Sequence, residues 1–288
     1  MILNSYAKLN LYLEVLNIRK DKFHNIKTIF ERINLHDTII LKSRADKQIK
    51  IFSNSKEIPR NSSNLAFRSA KLLQDDLAAA KGVDIKIIKR IPVGSGMGGG
   101  SSNAATVLLG LNKLWKLNLS KEKLVNFAKK IGSDVPFFIY DCSFAFGTGR
   151  GDNILPLNLL SSTKLWHILV VPKINVSTPA VYKGWDNKTQ ELTSLKGNDK
   201  IMLSALMKKD PALISIALFN SLESVTSRMH PVLNIIREKL GLLGLKSILM
   251  SGSGPAIFSI SLTKKEAVLA FKKLENKKFW NVFAVETF

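Results

Sequence analysis

Residues Ile91-Pro92-Val93-Gly94-Ser95-Gly96-Met97-Gly98-Gly99-Gly100-Ser101-Ser102-Asn103-Ala104-Ala105 set the tightest limit on what this chain can fold into. Five of the seven positions from 94 to 100 are glycine, which permits positive φ and a close approach of backbone to a ligand. The segment follows strand-like alternation over Val83–Lys89. It opens a helical pattern in which Ala104, Val107, Leu108, Leu111 and Trp115 share one face. Consecutive N–H groups at a helix start form an anion nest, to which Ser101 and Ser102 add hydroxyl donors. From Ser102 to Thr106 there is no Asp or Glu, although the helix dipole favours acids there; a first turn free of carboxylate suits a bound phosphate. Two better-known glycine motifs are excluded. A Walker A loop needs Lys after its last glycine, where Ser101 stands. Gly94, Gly96 and Gly99 satisfy Gly-x-Gly-x-x-Gly, but Pro92 interrupts the entry, the loop is too long for the tight turn, and no strand-ending acid lies about 20 residues on.

The remaining sequence supplies a scaffold for this loop. With 288 residues, 45% of them hydrophobic, the chain can bury a sizeable core. No apolar run approaches the roughly 18 residues of a membrane helix, the N-terminus lacks the pattern of an export signal, and the single cysteine, Cys142, cannot form an internal disulfide. A cytoplasmic protein is expected. The net charge of +21, from 43 Lys and Arg against 22 Asp and Glu, attracts anions. Its lysines, such as Lys121, Lys123, Lys129 and Lys130, are spread along predicted helices, which favours solvated faces over a nucleic-acid stripe.

Strands are predicted over Tyr6–Val15, Ile39–Lys42, Ile49–Phe52, Val83–Lys89, Lys164–Val171, Lys246–Met250, Ala256–Ser261 and Asn281–Thr287. Helices are predicted over Asn64–Ala80, Asn103–Trp115, Lys121–Ile131, Pro211–Thr226, Pro231–Leu240 and Lys264–Glu275. Their mixed order, without strict alternation, predicts an α+β fold. Gly147–Asn153 and Lys183–Asp199 read as the least structured stretches. A boundary near residue 155 divides an N-terminal domain, 1–155, from a C-terminal one, 156–288.

In the first strand, Ala7, Leu9, Leu11, Leu13 and Val15 make an apolar face, and Tyr6, Lys8, Asn10 and Tyr12 share the other. Residues two apart lie roughly 6.5–7 Å apart, so Lys8 and Asn10 either touch one small ligand or meet water. Gly132 sits at the C′ position of a helix. Asp134, before Val135-Pro136, reads on its own as a turn or N-cap residue. His24, His36, His167 and His230 have no metal-ligand spacing.

Four blocks taken together resemble the GHMP kinases: Ala7–Leu11, Gly94–Ala105, Gly132–Phe138 and Ser251-Gly252-Ser253-Gly254. Family-like Phe23-His24, Asn34–Asp37, Ser177-Thr178-Pro179 and Asn220–Glu223 fall between them, so the resemblance reaches from the first strand to about residue 261. The combination is specific; any one block is not. It implies a two-domain α+β GHMP kinase fold, with an N-terminal ribosomal-protein-like α/β domain, a C-terminal α+β domain and the active site in the cleft. It also implies ATP as phosphoryl donor, with Mg²⁺. The ATP phosphates would meet Pro92, Val93, Gly94, Ser95, Gly96, Met97, Gly98, Gly99, Gly100, Ser101 and Ser102, with Asn64 or Lys89 near the adenosine. Ser95 and Met97 stand where the family commonly has Gly and Leu. Asp134 matches the family's catalytic base and Lys8 its active-site lysine, which would stabilise the attacking oxygen or the transferred phosphoryl group.

Within the family, the blocks resemble the branch acting on a cytidine-diphosphate-linked methylerythritol. Phe23 and Tyr182 would stack on the cytosine, His24 would recognise it, and Asn10 and Thr178 would contact the substrate. Phe23 replaces a common Tyr and loses its hydroxyl. Ser251–Gly254 would support the phosphate loop. No carboxylate pair is evident for Mg²⁺, so no protein metal ligand is named. The rivals are a sibling kinase acting on homoserine or mevalonate, and a basic RNA-binding protein on a related fold. For the second, the chain lacks an RNP-like aromatic strand, a KH-type loop and an Arg-rich tract. The expected partners are ATP and the small-molecule substrate, with no requirement for nucleic acid or membrane, in a monomer or weak homodimer.

Overall fold

The structure, a computed structural model, describes all residues except 78–80, 188–197, 262 and 275–277. The end of the helix expected to Ala80, most of the stretch Lys183–Asp199, and Glu275 therefore lie outside the described residues. In chain order the strands are β1 (Ile2–Ile18), β2 (His24–Arg44), β3 (Ile49–Ser53), β4 (Gly82–Ile88), β5 (Phe144–Thr148), β6 (Asn153–Pro156), β7 (Trp166–Pro172), β8 (Phe219–Asn220), β9 (Ile248–Met250), β10 (Ile257–Ser261) and β11 (Trp280–Glu286). The helices are α1 (Leu65–Asp76), α2 (Gly99–Leu114), α3 (Lys121–Ile131), α4 (Thr178–Asp186), α5 (Asp199–Lys208), α6 (Pro211–Ala217), α7 (Glu223–Met229), α8 (Val232–Leu242) and α9 (Lys264–Leu274). The fold is α+β, as expected. Among the described residues no helix is long and apolar enough to cross a membrane.

One sheet runs β3-β4-β2-β1-β8, with β5 paired to β2 and to β6. The second is antiparallel in the order β11-β7-β10-β9. Helices α1 to α3 cover one face of the first sheet, where Leu41, Ile85 and Ile87 pack with Leu73, Leu108 and Trp115. Leu9, Leu11 and Ile33 pack towards Leu169, Phe258 and Val285 of the second sheet. β2 is therefore buried on both sides, which removes the polar-apolar alternation a half-buried strand shows. That is why only Ile39–Lys42 of it was expected.

β1 departs from straight alternation. Asn10 pairs with Phe30 and Tyr12 with Ile29, so Leu11 is an extra residue and the strand bulges. Tyr12 turns into the core beside Leu9 and Leu11, and Leu13 turns to the side of Lys8 and Asn10. The expected polar face through Tyr12 is corrected accordingly: it ends at Asn10.

Other expectations change locally. α2 begins at Gly99 rather than Asn103, so the glycine loop is shorter and its last glycines form the first helical turn. The single helix expected over Pro211–Thr226 is α6, β8 and α7; Phe219-Asn220 leaves the helix to pair with Tyr12-Leu13. Gly147–Asn153 holds the end of β5, the start of β6 and the hairpin turn between them at 149–152. Gly132 takes an extended conformation at φ −179°, not the left-handed one expected of a C′ glycine. α4 and α5 were not expected.

Candidate active site

The other three sequence blocks converge on the glycine loop. The Lys8 N–H of β1 donates to the Met97 carbonyl at 3.0 Å. A Cβ on Gly98 (φ +67°) would lie 3.2 Å from Lys8 Cγ and 3.0 Å from the Phe138 ring. A Cβ on Gly96 (φ +76°) would lie 2.4 Å from the Ser251 carbonyl oxygen. The Ser251 hydroxyl donates to the Gly96 carbonyl, and the Ala256 N–H donates to the Ser95 carbonyl. Asn220 donates to the carbonyls of Met250 and Gly252, clamping the same turn.

These contacts separate two glycines with similar φ. Gly94 (φ +64°) has nothing within 4 Å of its would-be Cβ. Gly94→Ala should cost only left-handed strain, about 1–2 kcal/mol. Gly96→Ala adds a backbone clash and should lower Tm more than Gly94→Ala and raise the KM for ATP. Thermal denaturation of both variants checks this; equal Tm values would contradict the close packing of loop and turn.

Gly98 to Ser101 end in a helix start whose Gly99, Gly100 and Ser101 N–H groups find no acceptor among the described residues. They line a cavity of about 300 Å³ with Pro92, Val93, Gly94, Ser95, Gly96 and Gly98. Two expected loop contacts do not reach it. Met97 is fully buried in the core, and Ser102 is buried with its hydroxyl accepting from Ser5. Ser95 lines the cavity, but its hydroxyl donates to the Pro92 carbonyl at 2.7 Å and shapes the loop. Asn64 and Lys89 also line it, with their polar groups engaged. Asn64 caps α1 and donates to the Pro59 carbonyl, and the Lys89 amine donates to Asp37 at 2.5 Å.

Asp37 is a residue to which the sequence reading gave no role. Fully buried, it accepts from Lys89 Nζ, the backbone N–H groups of Arg90 and Ile91, and Asn103 Nδ2. It thereby ties β2, the entry to the loop and the start of α2 together.

A smaller chamber of about 170 Å³ adjoins the loop and shares Gly96 and Gly98 with the first cavity. Lys8 Nζ and Asp134 Oδ2 face each other in it at 3.5 Å. Lys8 is buried and also donates to Asn10 Oδ1 at 2.5 Å. Asn10 is held in turn by donating to the Thr28 hydroxyl. The residue types that the sequence places far apart thus form one cation–carboxylate pair beside an anion nest.

A third cavity, of about 430 Å³, shares Asp134, Thr178 and Tyr182 with that chamber and adds Phe23 and His24. Tyr182 stacks on His24 with ring centroids 5.0 Å apart, and Phe23 lies under the Arg150 guanidinium at 5.1 Å. Burial, with a smaller contribution from the charge of Asp134, pushes the Tyr182 hydroxyl well above its ordinary range, so it acts as a donor rather than a base. The Thr178 and Ser253 hydroxyls are 2.7 Å apart. His24 Nε2 lies 2.7 Å from Asp186 Oδ1, a partner that the sequence reading missed. The start signal Ser177-Thr178-Pro179, with Ser177 as N-cap, could have placed Asp186 on a helix.

Residues 64–142 match the GHMP kinases N terminal domain, and residues 202–279 match the GHMP kinases C terminal family. A 4-diphosphocytidyl-2-C-methyl-D-erythritol kinase of Alkaliphilus metalliredigens (strain QYMF) is 38% identical over 94% of this chain and 91% of its own length. The chain belongs to this family of GHMP kinases. Its counterpart from Bacillus subtilis (strain 168) is 40% identical over 88% of this chain and 86% of that protein. A solved 4-(cytidine 5'-diphospho)-2C-methyl-D-erythritol kinase is 30% identical, with a TM-score of 0.83 over 99% of this chain and 98% of that one. The loop cavity, the Lys8–Asp134 chamber and the aromatic cavity adjoin in that order, each sharing lining residues with the next.

Proposed function

We propose that this kinase transfers the γ-phosphoryl group of ATP to the C2 hydroxyl of 4-diphosphocytidyl-2-C-methyl-D-erythritol, a step of non-mevalonate isoprenoid synthesis. The observation that carries the reading is the central chamber, whose Lys8–Asp134 pair shares walls with an anion nest on one side and an aromatic cavity on the other. The free N–H groups of Gly99, Gly100 and Ser101 receive the ATP phosphates. Asn10 and Thr178 orient the methylerythritol, and Phe23, His24 and Tyr182 hold the cytosine. Asp134 accepts the proton as the C2 oxygen bonds to the γ-phosphorus and the bond to the β–γ bridging oxygen breaks. Lys8 offsets charge on the attacking oxygen and the phosphoryl group. Because phosphoryl transfer has a loose transition state, positioning and charge stabilisation do most of the catalysis.

Mg²⁺ supplies further charge neutralisation on the phosphates when it is bound. Among the described residues, Asp134 is the sole acid lining the loop cavity and the chamber. Among the described residues no three His, Cys, Asp or Glu side chains cluster as a cage. This donor set fits an ion held mainly by nucleotide phosphates and water, with Asp134 beside it.

Coupled ADP release, measured with ATP and Mg²⁺, tests the reading on a panel of the cytidine substrate, homoserine, mevalonate and galactose. Turnover on the cytidine substrate alone is expected. Turnover on another alcohol would keep the kinase and discard the cytosine site.

A further inference from the structure

The structure assigns Asp186 a positioning role in choosing the base, an inference that rests on the reading of the outer cavity as the cytosine site. Asp186 fixes the His24 imidazole with its proton on Nε2, so that Nδ1 faces the substrate as an acceptor and selects an exocyclic amine over a carbonyl.

The geometry of the ring leads there. A carboxylate oxygen only accepts, and Asp186 Oδ1 lies 2.7 Å from His24 Nε2, so Nε2 carries a hydrogen. Nδ1 has no hydrogen-bond partner among the described residues. Unlike Nδ1 of His167, it is not a buried orphan atom, so it keeps a path to solvent. Tyr182 stacks on one side of the ring at an interplanar angle of 26°, and Trp185 meets it edge-on at 87°. Tyr182, Trp185 and Asp186 are spaced i, i+3 and i+4 along α4, so one helix face delivers all three to His24. The ring cannot turn without breaking these contacts.

The chemistry then distinguishes pyrimidines. Cytosine carries an amine at C4, which donates to Nδ1. Uracil has a carbonyl there, whose lone pairs would face the Nδ1 lone pair. A second proton on the ring would turn Nδ1 into a donor and reverse the preference, so the uridine analogue is the discriminating ligand.

The test compares kcat/KM for the cytidine substrate and its uridine analogue in the wild type, Asp186→Asn and Asp186→Ala. Calorimetric binding of CDP and UDP measures the same choice without turnover. The wild type should favour cytidine, and the cytidine-to-uridine ratio should fall about tenfold or more in both variants, through KM. Asp186→Asn should fall at least as far as Asp186→Ala, because an amide can donate to Nε2 and stabilise the other tautomer. The KM for ATP, and kcat with saturating cytidine substrate, should stay within about threefold, which distinguishes this role from general destabilisation. An unchanged ratio in both variants, or a wild type preferring uridine, overturns the assignment. A wild type that turns over neither compound overturns the functional reading with it.

Discussion

Replacing Asp134 with Asn is expected to lower kcat by roughly 10²–10⁴, the range for losing a positioned general base. Asn keeps the volume and polarity of the side chain but cannot take the proton of the attacking hydroxyl at neutral pH. The effect should fall on kcat rather than on the KM for either substrate, because the proposed phosphate and cytosine contacts lie on other residues. Stability should change little, since the Asp134 side chain is about a third exposed, at 35%. Lys8 would lose its partner but keep Asn10. Steady-state kinetics with thermal denaturation separates the two effects. A loss below tenfold would remove Asp134 from the role of base and leave it a turn residue of the Gly132–Phe138 block.

The largest effect on stability is expected from Asp37→Ala. The substitution strands a buried ammonium at Lys89, the Asn103 amide, and the backbone N–H groups of Arg90 and Ile91. Breaking a buried ion pair by removing one partner typically costs about 3–5 kcal/mol. At about 2–4 °C per kcal/mol for chains somewhat shorter than this one, Tm should fall by roughly 6–20 °C. Because these groups flank the glycine loop, the KM for ATP should rise as well. Adding Lys89→Met should recover part of the loss by removing the unpaired charge, as a double-mutant cycle would detect. A drop of less than about 2 °C in Asp37→Ala would show that the network does not hold the loop entry.

The parts of the site legible in the sequence are those encoded locally. The glycine loop, the absence of acids after it and the alternation of β1 sit within single segments, and so do the helix patterns of α1 and α3. What escaped depends on partners distant in the chain. The phase of β1 changes at Leu11 because β2 sets the register, and Tyr12 gives no sign of this in its own neighbourhood. Most of β2 was invisible because both of its faces are covered. Asn220 interrupts an apparent helix because it clamps the turn after β9. Asp37 and Asp186 look like ordinary carboxylates until folding brings Lys89 and His24 to them. Met97 and Ser102 lie within a phosphate-loop pattern, yet β1 and the core draw their side chains inward.

The proposed mechanism requires two nucleotides to bind at once, on opposite sides of the Lys8–Asp134 chamber. Calorimetric titration of CDP into protein saturated with Mg²⁺ and a non-hydrolysable ATP analogue tests it most directly. CDP should bind with the same stoichiometry and nearly the same affinity as to the free protein, and the analogue should stay bound. Displacement of the analogue by CDP, one for one, would put both nucleotides in a single site and rule out transfer across the chamber.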